Sequence, residues 1–145
     1  MFTRLGAMLV FGLALSLPVQ AEQKVQVGDY AIHYVSFGST FLTPQIAKNY
    51  GLTRSRYIGL VNITVNDTNN PQGSMAIPVS VNGYAQNLIG NQKQLSFKEI
   101  REGDVVYYIA EIEHRNEETF TFSLDIKNGT DLDTNLQFKQ KFYVD

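Results

Sequence analysis

The sequence predicts an all-β protein: an immunoglobulin-like antiparallel β-sandwich of about seven strands, with one short helix between the first two strands. Segments with alternating residue types dominate the chain after residue 21, and alternation places successive side chains on opposite faces of a sheet. Turn-forming residues separate these segments at short intervals, which is typical of two packed antiparallel sheets.

Three strands are predicted in the first half of the chain. Tyr30 to Phe37 has aromatic and apolar residues on both faces, and Tyr57 to Val65 alternates as a half-buried strand does. Met75 to Val81 also alternates, although Pro78 lacks an N–H and therefore favours a sheet edge or a bulge. Asn82-Gly83 then favours a turn or a sharp bend.

Four more strands follow in the second half. Leu95 to Ile100 is brief and leads into a charged turn. Val105 to Ile112 has no polar face, which predicts a central strand covered on both sides. Within it, Tyr107 is either a tyrosine corner or one of two tyrosines beside a buried strand. Thr119 to Ile126 alternates most cleanly, and Leu136 to Val144 offers Leu and Phe side chains to the core.

A single helix is predicted over Thr43 to Tyr50. The Thr43 hydroxyl can cap the first turn, Pro44 suits the first helical position, and Gly51 can adopt the left-handed conformation after the last turn. The helix has one apolar face, because Ile46, Ala47 and Tyr50 recur at helical spacing.

The first 21 residues have the pattern of a cleavable signal peptide. Arg4 precedes an uncharged run from Leu5 to Leu17, and Val19-Gln20-Ala21 approximates the small-residue cleavage motif, so we predict cleavage between Ala21 and Glu22. The alternative, a retained membrane anchor, requires about 20 apolar residues, and this run is shorter. Residues 22–145 then form a single domain that does not insert into the membrane.

Composition excludes several functions. Removal of Arg4 with the leader leaves 11 basic and 14 acidic residues, a net charge of −3, without a basic cluster. Nucleic acid and anionic membrane surfaces are therefore unfavourable partners. The chain has no cysteine, which excludes disulfides, thiol catalysis and cysteine-based zinc sites.

Catalytic chemistry has few candidates. His33 and His114 are the only histidines, and no serine lies in a nucleophile motif. Glu111 and Glu113 precede His114, but a strand directs Glu113 away from His114, so a solvated strand end is the alternative to a metal site there. We therefore predict no catalytic, cofactor-binding or metal-binding residues.

Residues 39–56 join two strands and contain aromatic and basic side chains. Aromatic and arginine side chains dominate binding hot spots, so this part of the chain is a possible recognition surface. Its residues are Phe41, Tyr50, Arg54, Arg56 and Tyr57. In the alternative interpretation, Phe41, Ile46 and Tyr50 close one open end of the sandwich.

Several blocks resemble a known family. They are Phe37 to Pro44, Ala47 to Gly51, Arg54-Ser55, Phe97 to Glu111, Asn116 to Thr119 and Phe142 to Asp145. Together they resemble a proteobacterial family designated domain of unknown function 4426. The resemblance implies a periplasmic protein of a Gram-negative bacterium, and it supplies no activity and no catalytic residues.

By exclusion, we expect a non-enzymatic binding or accessory module of the cell envelope. Its expected partner is another periplasmic protein, contacted through loops or an unpaired sheet edge. One alternative is a carbohydrate or small-ligand binder that uses tyrosines such as Tyr34, Tyr84 or Tyr143. The other is a metal-dependent or hydrolytic enzyme in which His33 or His114 meets carboxylates in a cleft.

Overall fold

The computed structural model describes residues 22–71 and 73–144, which form two antiparallel sheets packed face to face. The strands are β1 (Gln23–Val27), β2 (Tyr30–Gly38), β3 (Ile58–Asp67), β4 (Met75–Ala76), β5 (Ser80–Asn87), β6 (Gln92–Leu95), β7 (Lys98–Glu102), β8 (Val105–Glu113), β9 (Glu118–Asn128) and β10 (Leu132–Phe142). A 3-10 turn (Ser39–Phe41) and helix α1 (Pro44–Tyr50) connect β2 to β3. The predicted signal peptide, residues 1–21, lies outside the described residues, as does Ala21 at its predicted cleavage position.

The strand order is that of an immunoglobulin-like sandwich. The first sheet has the order β1-β2-β3-β8-β7, with β4 paired to the end of β3, and the second has the order β10-β9-β5-β6. Strands β2-β3-β8-β7 correspond to A-B-E-D of that fold, and β10-β9-β5-β6 to G-F-C-C′. The predicted fold class is therefore confirmed, with β1 added beside strand A.

The described residues contain ten strands rather than about seven. The predicted strand Met75 to Val81 is interrupted around Pro78, which cannot donate to a ladder. The predicted strand Leu95 to Ile100 is divided because the chain crosses at residues 96–97 from the second sheet to the first. Strand β1 was not predicted, because it is a largely exposed edge strand of mostly polar residues and lacks a run of alternating apolar and polar residues.

Asn82-Gly83 does not form the predicted turn but lies inside β5. Gly83 is opposite Leu124 of β9, and a Cβ at Gly83 would lie 2.8 Å from the Leu124 Cα. A glycine at this position therefore permits close approach of two strands, a role that local sequence does not distinguish from a turn.

The core lies between the inner faces of the two sheets and is rich in aromatic rings. Phe122 stacks on Phe138 with ring centroids 4.9 Å apart, and Tyr34 of the first sheet reaches Phe138 at 4.7 Å. Phe120 and Phe142 pack around the same ring system. These contacts join the two sheets, and each of these side chains removes a large apolar area from water.

A second, smaller cluster lies on the outer face of the first sheet. Leu60 and Ile109 point away from the main core and are buried with Leu52, under partly buried side chains that include Tyr50 and Tyr107. Strand β8 is thus covered on both faces, which confirms the prediction from its composition.

Of the two interpretations of Tyr107, the tyrosine corner was wrong, because β8 is strand E of the fold, whereas the motif belongs to strand F. Tyr107 and Tyr108 instead pack on the two sides of β8. The neighbouring Tyr108 makes the polar contacts instead. Its hydroxyl accepts a hydrogen bond from the Val79 amide and donates one to Glu99, both at 2.9 Å. Burial is the main reason why the Tyr108 pKa is raised.

Among the described residues, no helix is long and apolar enough to cross a membrane.

The facing glycines of β2 and β3 provide a test of the packing. Gly59 lies under the Phe142 ring, where an added Cβ would lie 2.7 Å from Cδ1 and 2.9 Å from Cζ. We expect Gly59→Ala to lower the free energy of unfolding by about 1–3 kcal/mol, as overpacking does. Urea denaturation measures the change.

Gly38→Ala is the matched control, because Gly38 pairs with Gly59 and its added Cβ would have Thr40 Oγ1 as nearest neighbour, at 3.9 Å. We expect this variant to be no less stable than the wild type. Equal destabilisation of the two variants would contradict the proposed role of the Phe142 contact.

Candidate functional site

Residues 39–57, the covering segment, lie against the outer face of the first sheet. Helix α1 begins as predicted, since Thr43 Oγ1 accepts a hydrogen bond from the Ile46 amide at 3.1 Å. It ends at Gly51 with φ 68°, and Lys98 of β7 donates to the Gly51 carbonyl at 2.8 Å. A positive charge at this position favours the negative end of the helix dipole and attaches the helix to the sheet.

Two further contacts fasten the covering segment. The buried Ser39 hydroxyl donates to the Ser55 carbonyl and accepts from the Ser55 amide, each at 2.8 Å. Glu111 of β8 accepts a hydrogen bond from the Thr53 amide at 2.7 Å. Glu111 therefore acts as an anchor for the segment, a role that its place on the outer face of β8 makes possible.

Two of the five predicted recognition residues are committed to contacts within the covering segment or with the sheet. Arg54 donates from Nε to the Leu42 carbonyl at 2.7 Å and from a terminal nitrogen to the Thr40 carbonyl at 3.3 Å. The Tyr50 hydroxyl donates to Glu102 at 2.8 Å, and this hydrogen bond is the main cause of a raised Tyr50 pKa.

The other three predicted recognition residues are exposed. Phe41 is 62% exposed and Tyr57 is 55% exposed, and Arg56, which directly precedes Tyr57, is also exposed. The alternative in which Phe41, Ile46 and Tyr50 close an end of the sandwich was wrong: Tyr50 packs onto a sheet face, while Phe41 and Ile46 remain largely outside the core. The apolar face of a short helix does not reveal which surface it will cover.

Tyr57 belongs to a larger surface at one end of the sandwich. This end, which we call the His114 end, contains Tyr57, the β5–β6 turn (residues 88–91), the β8–β9 turn (residues 114–117) and Tyr143. The His114 amide donates to the Tyr57 carbonyl at 2.8 Å, and Asn116 Oδ1 accepts from the Val144 amide at 2.9 Å. These bonds connect the turn to β3 and to the chain after β10.

His114 is not the solvated strand end that its sequence neighbours suggested. It is 5% exposed, and its ring stacks on Phe142 with centroids 4.9 Å apart. Nδ1 lies 2.9 Å from the Arg115 carbonyl, which can only accept, so Nδ1 carries a proton and donates it in this hydrogen bond. Nε2 is buried and has no hydrogen-bond partner among the described residues, and the ring packs against the core.

Glu118 joins the two turns of the His114 end. Its carboxylate accepts from the Arg115 amide at 2.8 Å and from Asn87 Nδ2 at 3.0 Å. Burial opposes ionisation of this carboxyl, but the hydrogen bonds from Asn87 and Arg115, together with the charge of Lys93, hold its pKa below the ordinary value.

The β5–β6 turn displays two large aliphatic side chains. Leu88 and Ile89 are 78% and 82% exposed. Two backbone hydrogen bonds close the turn, from the Asn87 amide to the Asn91 carbonyl at 3.0 Å and from the Gly90 amide to the Asn87 carbonyl at 3.1 Å. Asn87 Oδ1 also accepts from the Asn91 amide at 2.8 Å. The exposed pair is therefore held by a well-bonded turn that Glu118 anchors from the side.

The two histidines do not form a common site. His33 lies on β2, with Nδ1 3.4 Å from Glu22, whereas His114 is buried in the β8–β9 turn. Within residues 22–71 and 73–144, no group of three or more histidine, cysteine, aspartate or glutamate side chains is placed to hold a metal ion.

The three tyrosines of the carbohydrate alternative occupy three different places. Tyr34 packs against Phe138 in the core, Tyr84 lies on the outer face of the second sheet, and Tyr143 is 55% exposed at the His114 end. They form no aromatic row: Tyr84 borders a depression over the second sheet, and Tyr34 lines a different one, between β2 and β10.

The strand order of the two sheets defines an immunoglobulin-like β-sandwich module. The family model described as domain of unknown function (DUF4426) matches residues 24–145, and the chain belongs to this family. This confirms the resemblance that the sequence blocks indicated.

Solved structures agree on the fold. A DUF4426 family protein (PA0388) from Pseudomonas aeruginosa PAO1 is 27% identical, with a TM-score of 0.74 over 86% of this chain and 96% of that chain. FetP of uropathogenic E. coli strain F11, recombinantly expressed in the periplasm of E. coli BL21(DE3), is 11% identical, with a TM-score of 0.62 over 86% and 95%. A copper-bound variant of FetP is 12% identical, with a TM-score of 0.62 over 85% and 95%.

The FetP structures show a shared fold alone. No curated protein matches this sequence.

The covering segment contains two arginines: Arg54 makes hydrogen bonds within the segment, and Arg56 is exposed. We expect Arg54→Ala to lower the free energy of unfolding by about 1 kcal/mol, because it removes the hydrogen bonds to two loop carbonyls. Arg56→Ala, the control, should leave stability unchanged within about 0.5 kcal/mol. Urea denaturation of both variants checks this, and a reversed order would contradict the geometry.

Glu118 should contribute a defined part of the pH dependence of stability. Because its folded-state pKa lies below the ordinary value of 4.5, its contribution is complete above that value and is lost as pH falls through the folded pKa. We expect Glu118→Gln to remove this loss. The free energy of unfolding, measured from about pH 6 down to about pH 3, tests the expectation.

Glu113→Gln is the control for Glu118, since Glu113 is a nearby exposed carboxylate that receives neither hydrogen bond. An acid profile that Glu113→Gln and Glu118→Gln alter equally would show that the two-turn contact is not the cause.

Proposed function

We propose that this protein is an exported, non-enzymatic binding or accessory module of the cell envelope that contacts a partner protein through its His114 end. The leader pattern of residues 1–21 supports export to the periplasm. FetP, which shares the fold, was recombinantly expressed in the periplasm. Both observations are compatible with a periplasmic location.

The exposure of Leu88 and Ile89 carries the proposal. Full burial of a leucine or isoleucine side chain stabilises a protein by about 1.5–3 kcal/mol, and in this turn both side chains are left exposed. Hairpin turns are ordinarily polar, and contiguous exposed apolar residues mark interaction sites. Because hydrogen bonds already order this turn, binding through Leu88 and Ile89 does not require its backbone to lose further conformational entropy.

The surroundings favour a protein partner over a lipid surface. Tyr57 and Tyr143 add aromatic area to the His114 end, and tyrosine is enriched at protein interfaces. The charged side chains there have both signs, as in the ion pair between Lys141 and Glu117 at 3.5 Å. Binding to an anionic membrane would instead favour a cluster of one positive sign.

Affinity capture from the envelope of the host tests the proposal. Tagged full-length chain is compared with Leu88→Ser/Ile89→Ser and with Met75→Ser/Val105→Ser, which removes exposed apolar residues at the opposite end of the sandwich. We expect one partner to be retained by the wild type and by the control, and its recovery to fall by about tenfold or more in the Leu88/Ile89 variant.

Equal recovery of that partner with both variants would refute the assignment of the surface. Binding of the wild type, but not the Leu88/Ile89 variant, to phosphatidylglycerol vesicles would replace the protein partner by a lipid surface.

A further inference from the structure

The outer face of the second sheet carries uncharged polar side chains across all four strands. The register places two rows of four residues side by side: Gln137, Ser123, Tyr84 and Gln94, then Lys139, Thr121, Gln86 and Gln92. Seven of these eight described side chains are neutral hydrogen-bonding groups, and only Lys139 is charged. We call these seven residues the amide band.

The amide band differs from the outer face of the first sheet, which the covering segment partly hides. Side chains directly opposite each other in a ladder share a face, so the band is continuous across the sheet. Amides and hydroxyls present both donors and acceptors. Such a surface matches a ligand that is itself neutral and rich in both.

Part of this hydrogen-bonding capacity is unused within the protein. Gln94 donates to the Gly83 carbonyl at 2.9 Å, and Gln92 donates to Gln86 at 3.3 Å. Among residues 22–71 and 73–144, the side chains of Gln137 and Tyr84 make no hydrogen bond. These two residues lie on either side of Ser123, so their groups are available at the middle of the sheet.

A depression of about 340 Å³ lies over this part of the sheet. Tyr84, Thr121, Ser123 and Gln137 contribute to its walls, with Leu88 at its border. Its volume is within the range of about 300–1,000 Å³ that small-ligand sites occupy. Tyr84 supplies an apolar ring with a polar hydroxyl, a combination that suits a ligand with apolar faces and polar edges.

We infer that the amide band binds a neutral oligosaccharide. A pyranose ring has C–H faces that can lie on the Tyr84 ring and hydroxyl edges that can bond the amides and hydroxyls around it. An anionic ligand would meet Lys139 on one side but Asp125 in the adjacent row. For a protein partner the seven residues offer a single aromatic side chain, Tyr84, and no arginine, whereas binding hot spots are clusters of such residues. This surface adjoins the His114 end at Leu88, but its other residues lie on the sheet face.

Titration calorimetry of the full chain with chitohexaose and with maltohexaose tests the inference. We expect saturable binding of at least one of these neutral hexasaccharides. Tyr84→Ala should weaken it by about tenfold or more, whereas Tyr84→Phe, which keeps the ring, should weaken it less. Gln137→Ala removes one exposed hydrogen-bonding group and should weaken binding by about fivefold.

Gln45→Ala is the matched control, because Gln45 is exposed on α1 over the other sheet. It should bind as the wild type does. Thermal unfolding establishes that each variant is folded, and the exposed Gln137 keeps the test valid if Tyr84→Ala is unstable. The inference is overturned if neither sugar shows saturable binding, or if both Tyr84→Phe and Gln137→Ala bind as tightly as the wild type. It is also overturned if the protein prefers hexagalacturonate, an anionic hexasaccharide titrated in parallel.

Discussion

Packing of the Phe142 ring joins the end of the second sheet to the first and sets the geometry of the His114 end. The ring covers Gly59 of β3, stacks on His114 at 4.9 Å, and meets Phe120 at 6.3 Å. One side chain of the last strand thereby fixes the start of β3 and the turn after β8. The bonds that hold the exposed Leu88 and Ile89 in place start from that turn, through Glu118 and Asn87. A rigid display of apolar residues at this end therefore depends on an aromatic contact inside it.

The outer faces of the two sheets differ in polarity and in whether another part of the chain covers them. The first sheet has apolar residues on its outer face, notably Leu60 and Ile109, and requires a cover, which the covering segment supplies. Polar contacts such as the reciprocal hydrogen bonds between Ser39 and Ser55 hold that segment in place. The second sheet has hydroxyl and amide side chains outside and needs no cover. The proposed sugar site therefore lies on the sheet that the chain leaves open.

Periodicity sufficed to predict the sandwich, the helix with its Thr43 cap, and the doubly covered β8. Periodicity did not predict features that depend on a contact between residues distant in sequence. Gly83 resembles a turn glycine until β9 is placed beside it, and His114 resembles a strand end until Phe142 covers it. The five-residue recognition prediction rested on residue type alone, which cannot distinguish Arg54, bonded to loop carbonyls, from the exposed Arg56. The amide band likewise arises only from register across four strands.

The two proposed surfaces meet at one side chain. Leu88 is exposed in the β5–β6 turn and also borders the depression over Tyr84. Replacement of Leu88 would therefore perturb both surfaces, whereas Gln137, on the far strand of the sheet, belongs to the amide band alone. Loss of a partner without loss of sugar binding would require that Ile89 and the tyrosines at the His114 end provide the protein contact. Loss of both would indicate that Leu88 is shared, and a sugar bound over Tyr84 would then lie against the protein partner.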